Sequence, residues 1–229
     1  MDDKIVSAFQ NISYKVVTER PELEQIYRLR YKCYRAEGSI SDNPSNMMTD
    51  PFDDTVNCIH VAVEKEGRFL ASLRLHLVSQ DFVLSPTLEV FPELIDDIEN
   101  GKTILDPTRF VIDPDTRSER TALHFLVLRI PFLAALHYGV DIALAPVRSE
   151  HTAFYRRYLG YVPVMSPRSY PALKQPIHLL KVDVQSQRDS VLARTPVFGP
   201  IEDIPNSRIV FPDLAPALAA ARSTRRASI

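Results

Sequence analysis

The sequence contains no tryptophan and few cysteines and glycines for its length of 229 residues. The two cysteines, Cys33 and Cys58, cannot build a disulfide framework, and no Cys-x-x-Cys pair occurs. The first ten residues lack an apolar signal core, and no apolar run approaches the ~18 residues of a membrane-spanning helix. A protein of the reducing cytoplasm, with neither a signal peptide nor a spanning segment, is therefore expected.

The chain also lacks a large net charge and a metal-binding motif. The net charge is −2 and the pI is about 6.3, so no overall field favours nucleic acid or an anionic membrane. The six histidines show none of the spacings that metal sites use, and no metal is expected. With 45% hydrophobic and 24% charged residues, the chain instead predicts a globular domain with a substantial core.

Charged side chains nevertheless recur inside apolar runs of the first half of the chain. Burying a charge is costly unless it is paired, so arginines and aspartates in core-like surroundings predict an internal ion-pair network that lines a site. The residues concerned are Arg30, Asp50, Asp53, Arg74, Asp106 and Arg109.

Hydrophobic periodicity predicts alternating strands and helices, and thus a mixed α/β fold with a central sheet flanked by helices. A hairpin is expected around Glu66 and Gly67, and Pro107 suggests a bulged or edge position in the strand around it. Residues 118–138 read as a long buried helix, followed by a strand and an amphipathic helix that begins with Ser149 as its cap and ends at Gly160.

The sequence predicts one domain followed by a C-terminal tail. Residues 1–184 hold the strand and helix patterns and should form one domain. Residues 185–229 are rich in Pro, Ala and Arg, which indicates a tail or wrapping arm outside the core.

Short motifs and their order carry a family resemblance over roughly residues 12–184. The motifs are Arg30 with Tyr34, Asp50-Pro-Phe52-Asp53, Arg74-Leu75, a Val-Phe-Pro-Glu-Leu run at 90–94, and Asp106-x-Thr108-Arg109-Phe110. Together with the element order, they resemble the GNAT N-acetyltransferase superfamily. Within it the chain is similar to the acyl-homoserine-lactone synthases and, more closely, to the long-chain N-acyl amino acid synthases.

This resemblance implies transfer of an acyl group from a thioester to the α-amine of a free amino acid. Asp106 is the candidate general base. It stands where the lactone synthases carry a glutamate that is one methylene longer. Backbone N–H groups near Phe110, Val111 and Ile112 are candidates to stabilise the oxyanion. Tyr155 or Tyr158 resembles the tyrosine of the superfamily that protonates a leaving thiolate.

An amino-acid substrate carries a carboxylate, which a guanidinium binds better than an ammonium does. Arg30, Arg74 and Arg109 compete for this role, with Asp50 and Asp53 holding the unused arginines. Tyr34, Phe52 and Thr108 complete the expected substrate site. An apolar tunnel for the acyl chain is expected along Leu126, Ile130, Phe132 and residues 142–144.

The donor is expected to be an acyl carrier protein, whose phosphopantetheine carries the acyl group, so that no cofactor is bound by the chain itself. Coenzyme-A-dependent relatives cradle pyrophosphate on a glycine-rich loop before the long helix. Residues 117–122 contain no glycine. Arg117, Arg120 and Thr121 are the expected donor-binding residues. Membrane association is expected of the product at most, and not of a spanning segment of the chain.

Alternatives stay open at this level. The chain could be a lactone synthase that uses S-adenosylmethionine, although Ile40 replaces the tryptophan of that family, or a noncatalytic acyl-carrier or lipid-binding module. Arg30 could be purely structural, Asp50, Asp53 and Asp106 could be turn residues, and Arg74 could lie on a wet strand face.

Overall fold

The computed structural model describes residues 9, 12–116, 120–171, 173–199 and 208–227. A seven-stranded mixed sheet lies at its centre, in the order β1-β2-β3-β4-β5-β7-β6. The strands are β1 (Ser13–Val17), β2 (Cys58–Lys65), β3 (Arg68–Val78), β4 (Ile104–Ile112), β5 (Ile142–Val147), β6 (Val162–Arg168) and β7 (Ile177–Asp183). The predicted mixed α/β fold is confirmed.

Helices cover the sheet. They are α1 (Arg20–Ala36), α2 (Pro86–Val90), α3 (Ile95–Glu99), α4 (Arg120–Tyr138), α5 (Ser149–Leu159), α6 (Val184–Arg194) and α7 (Ala215–Ala227), with 3₁₀ turns at Pro51–Asp54, Pro92–Leu94 and Pro196–Phe198. Gly160 ends α5 with φ of +71°, as predicted, whereas the cap position before this helix is Arg148 rather than Ser149. Ser149 is instead the first helical residue.

The β2–β3 hairpin forms where the sequence predicts it. Glu66 and Gly67 both have positive φ, +52° and +78°, which is the geometry of a two-residue turn that matches the twist of the strands. The hairpin places Arg74 of β3 opposite His60 of β2 and Thr108 of β4. Arg74 therefore lies at the centre of three paired strands.

β4 and β5 run parallel but touch only briefly. Their pairing is limited to Ile104 with Ile142 and Leu105 with Ala143, so the two strands diverge beyond this point. In β4 the ladder with β3 shifts register between Thr108 and Val111, where Arg109 has a φ of +56°. Two residues, Arg109 and Phe110, thus face one residue of β3, which defines a β-bulge. The bulge lies there rather than at Pro107, which keeps its partner Leu75.

The C-terminal segment contributes to the core, contrary to the expectation that residues 185–229 lie outside it. Its buried members pack in the same cluster as the sheet and α4; they are Val191, Val197, Phe198, Phe211 and Leu214. The fully buried Arg129 of α4 donates hydrogen bonds to the carbonyls of Val197 and Gly199, which anchors this segment. The expectation was wrong because it rested on the high Pro, Ala and Arg content of the segment, which outweighs these few large apolar residues.

No helix in the described part of the chain is long and apolar enough to cross a membrane.

Candidate active site

Asp53 joins two buried arginines. Its Oδ1 accepts hydrogen bonds from Arg30 Nη1 and from Arg74 Nη1, each at 2.7 Å. Both guanidiniums are fully buried, and Arg30 Nη2 lies 3.0 Å from His60 Nδ1. The alternative that Arg74 lies on a wet strand face is therefore wrong, because the Pro51–Asp54 turn covers that face.

Asp50 extends the same network to a third arginine. Its Oδ1 accepts from Arg74 Nη1 at 2.6 Å, and its Oδ2 accepts from Arg109 Nη2 at 2.6 Å and Nε at 3.2 Å. Arg109 is only 6% exposed. Two carboxylates thus neutralise most of the charge of three guanidiniums, and the predicted ion-pair network is present.

The turn that supplies these aspartates also uses their side chains locally. Asp50 Oδ1 accepts from Phe52 N at 3.0 Å, and Asp53 Oδ2 accepts from Asp50 N at 2.9 Å, which forms a capping box. The turn interpretation and the ion-pair interpretation therefore both hold, because each carboxylate can accept several hydrogen bonds at once. Phe52 packs edge-on against His76.

The charge pattern shifts the titration of these groups. Burial alone would raise the pKa values of Asp50 and Asp53, but the arginines outweigh it and hold both below their usual range. Burial, followed by the charge of Arg30, lowers the pKa of His60 to about 4. Burial and Arg74 lower that of His76 to about 3.

These histidines give a pH dependence of stability. Each stays neutral in the folded protein while an unfolded histidine gains a proton below pH ~6.5, so stability must fall as pH falls from ~6.5 towards 4. Each histidine contributes about 1.4 kcal/mol per pH unit in this window. Urea unfolding across this range should show this slope of the free energy of unfolding against pH. His76→Gln should reduce the slope by the contribution of one histidine. An unchanged slope in that variant would contradict the assignment.

Arg109 occupies a distinctive position in the network. The left-handed conformation at the bulge is costly for a side chain other than glycine, which indicates that its surroundings hold it there. Its guanidinium carbon lies 5.9 Å from the ring centres of both Tyr34 and Tyr170. The third nitrogen, Nη1, lies 4.0 Å from the sulfur of Met48, which is its one hydrogen-bond partner among the described residues. Arg109 thus retains a donor nitrogen with a weak partner.

A cavity of about 430 Å³ lies between the diverging strands, a volume typical of small-molecule sites. Arg109 lines it, together with Tyr34, Thr108, Phe110 and Val111. Its remaining wall is mainly apolar and comes from α4, α5, β5, β7 and α6, with further residues from β3 and from the segments after α1 and β6. Phe132, Ala143 and Leu144 contribute to this wall as predicted.

Several residues predicted for the site lie behind the wall of the cavity. Leu126, Ile130 and Ile142 do not line it and are buried in the core, so this part of the expected tunnel is wrong. Arg30, Asp50, Phe52, Asp53 and Arg74 also stay out of the wall and form the support behind Arg109. Arg117 lies outside the described residues, and Arg120 and Thr121 are described only as the first backbone positions of α4.

A smaller recess of about 40 Å³ adjoins the cavity. Its lining residues are Tyr34, Thr108, Arg109, Pro146, Tyr170, Leu173 and Ile177. The buried hydroxyl of Tyr170, which lines this recess, has no hydrogen-bond partner within the described part of the chain, and neither has Nη2 of the buried Arg74. Such unsatisfied groups are rare and indicate a place where a ligand or water is held.

Sequence reasoning missed Tyr170. It lies between β6 and β7 in a stretch rich in Pro and Ser, where no periodic pattern assigns a face. The only available signal was an aromatic residue in a turn-like segment, which is weak.

Asp106 is fully buried and does not border the cavity. Its Oδ1 accepts from Thr87 Oγ1 at 2.7 Å, and its Oδ2 accepts from Thr87 N at 3.2 Å, so it holds the start of α2. Burial raises its pKa, against hydrogen bonds from Thr87 and Ser85 that lower it. A raised pKa suits a general base, but any contact with the substrate has to pass through a water or a side-chain shift.

Similar solved structures share this architecture at low sequence identity. The structure of FeeM, an N-acyl amino acid synthase from uncultured soil microbes, matches with a TM-score of 0.65 and 16% identity, covering 80% of this chain and 96% of that one. BjaI, a CoA-dependent acyl-homoserine lactone synthase, gives 0.62 and 18%, covering 93% and 99%. An acyl-CoA N-acyltransferase from Pseudomonas aeruginosa gives 0.51 and 18%, covering 75% and 97%. The fold is that of the GNAT-like acyltransferases.

The sequence itself identifies the family. The family model for the N-acyl amino acid synthase FeeM matches residues 25–183, and the chain belongs to this family of acyltransferases. A search of curated proteins found no match.

Proposed function

We propose that this enzyme transfers a long acyl chain from an acyl carrier protein thioester to the α-amine of a free amino acid. One observation carries the proposal: a largely apolar cavity between diverging strands adjoins a recess that contains a buried, incompletely satisfied arginine. An acyl chain suits the apolar part, and an amino-acid carboxylate suits the arginine.

Arg109 is the proposed carboxylate-binding residue. Of the three arginines in the network it is the one that lines the cavity, whereas Arg30 and Arg74 are fully buried behind it. Asp50 and the two tyrosine rings fix its orientation. In this proposal the hydroxyl of Tyr170 donates a second hydrogen bond to the acceptor.

The reaction then follows ordinary acyl-transfer chemistry. The ammonium of the acceptor loses a proton, through a water, to Asp106, and the amine attacks the thioester carbon. Negative charge develops on the carbonyl oxygen, which backbone N–H groups at the bulge near Phe110 and Val111 stabilise. As the C–S bond breaks, Tyr155 gives its proton to the leaving thiolate and takes the second proton of the attacking nitrogen, so that a neutral amide and a free thiol form and the tyrosine is protonated again. This tyrosine lines the cavity, and burial raises its pKa, so it stays protonated until this step.

Single-turnover cleavage of a palmitoyl carrier-protein thioester, with mass spectrometry of the products, tests the proposal. An N-palmitoyl amino acid is the expected product. Methylthioadenosine release with S-adenosylmethionine would instead indicate a lactone synthase, and binding without cleavage would indicate a noncatalytic module. Either result would overturn the proposal.

Asp106→Asn is expected to lower turnover by about 10²–10⁴-fold, the usual contribution of a general base. Because this variant also changes the contact with Thr87, Thr87→Val serves as the control: it removes the hydroxyl that donates to Asp106 but leaves the carboxylate. Thr87→Val should retain far more activity than Asp106→Asn. Turnover near wild type in folded Asp106→Asn would remove this residue from the mechanism.

Carrier-protein thioesters should be used much better than coenzyme A thioesters of the same chain, because residues 117–122 lack the glycines that cradle a pyrophosphate. Charge reversal at Arg117 and Arg120 should raise KM for the carrier and leave kcat nearly unchanged. Steady-state kinetics with both donors measures this preference. Equal kcat/KM for the two donors would contradict the carrier assignment.

A further inference from the structure

Helix α6 begins where the family match ends. The matched residues are 25–183, and α6 starts at Val184. Four side chains of this helix nevertheless line the cavity: Val184, Gln187, Arg188 and Val191. Part of the cavity wall is therefore built by a segment outside the region that defines the family.

Strand pairing places α6 at the end of the cavity opposite Arg109. Val182, just before the helix, pairs with Ala143, and Ala143 pairs with Leu105 where β4 and β5 touch. Arg109 lies four residues further along β4, in the direction in which the strands diverge. At about 3.3 Å per residue, Arg109 lies on the order of 13 Å along the sheet from the level of Val182, and α6 begins two residues beyond Val182.

Several contacts hold α6 against the body of the domain. Asp183 caps its first turn by accepting from Ser186 N at 2.8 Å. Arg194 Nη1 donates to the carbonyl of Arg157 on α5 at 3.2 Å. Gln187 packs directly on Gly160, where an added Cβ would clash with its side-chain oxygen. Val191 is 2% exposed and belongs to the main core cluster.

We infer that α6 closes the distal end of the acyl site and that Val191 and Gln187 limit the length of the acyl chain the enzyme accepts. This inference rests on the proposed function, which places the thioester carbon near Arg109 and extends the chain away from it. Terminal methylenes then meet Val191 and the stem of Gln187. A larger side chain at either position removes room for them.

The test compares Val191→Phe, Gln187→Phe and Val191→Ala with wild type across hexanoyl, decanoyl, tetradecanoyl and palmitoyl thioesters. Ala193→Phe is the matched control, because Ala193 is an exposed position of the same helix that does not line the cavity. Each buried methylene that loses its site costs about fourfold in affinity. The Phe variants should therefore shift the long-to-short preference by at least about tenfold towards short chains, and Val191→Ala should shift it towards long chains.

Displacement of cis-parinaric acid by free fatty acids of the same lengths gives a second readout that needs no turnover. If wild type transfers no acyl group, the proposed function fails, but this binding profile still tests α6. Gln187 is only half-buried, so its variant keeps the test informative if Val191→Phe does not fold. An unchanged length profile in folded Gln187→Phe, or an equal shift in Ala193→Phe, would overturn the inference.

Discussion

Arg109→Gln is expected to lower kcat/KM for the amino-acid acceptor by roughly 30- to 5,000-fold, equivalent to ~2–5 kcal/mol of transition-state binding. The substitution removes the proposed carboxylate ligand from the cavity. Asp50 keeps its hydrogen bond to Arg74, so its charge is not left unpaired and the fold should persist. Steady-state kinetics at saturating donor measures the loss.

An acceptor amide separates a binding role from a structural one. In wild type, replacing the carboxylate of the acceptor by an amide should cost about as much as Arg109→Gln, because a buried guanidinium loses its partner. In the variant, acid and amide should be used almost equally. Arg168→Gln, which removes a partly exposed arginine paired with Glu93, is the matched control and should leave the acid preference intact. A full acid preference in Arg109→Gln would exclude this arginine as the carboxylate ligand.

Asp53→Asn is expected to lower the free energy of unfolding by about 3–5 kcal/mol, the usual cost of removing one partner from a buried ion pair. The substitution keeps the size of the side chain but leaves Arg30 without a carboxylate partner in a fully buried position. This loss is a large share of the ~5–15 kcal/mol by which domains are stable. Urea or thermal unfolding of purified protein measures it.

Glu93→Gln provides the comparison for that experiment. It removes an ion pair with Arg168 that is partly exposed, and such pairs contribute no more than about 1 kcal/mol. The difference between the two variants reports the effect of burial rather than of charge alone. Equal destabilisation by both would show that the network around Asp53 is not the energetic support of the site.

The ion-pair network could be predicted because it depends on the type of each residue and on its neighbours along the chain. A charged residue in an apolar strand or helix must find a partner, so Arg30, Arg74 and Arg109 required acids, and Asp50 and Asp53 were the acids at hand in the next loop. The hairpin and the end of α5 followed from single glycines in left-handed conformations. Neither inference needed to know how the strands associate.

Which of these residues line the cavity and which lie behind it could not be predicted in this way. Only the separation of β4 from β5 after two paired residues decides that Arg109 lines a cavity while Arg74 lies behind it. The same packing buries Asp106 against Thr87 and brings Tyr170, which is distant in sequence, next to Arg109. Composition favoured a peripheral arm for the C-terminal segment, yet five of its apolar residues complete the core.

The sequence by itself determined the order of the main strands and helices as far as residue 184, the charged residues that had to pair, and the family of acyltransferases to which the chain belongs. Those properties depend on residue type and on spacing along the chain. The tertiary structure alone decided where the cavity lies, which arginine lines it and which helix closes its far end. Such features arise where residues far apart in sequence meet, and the pairing of strands that brings them together leaves no local pattern.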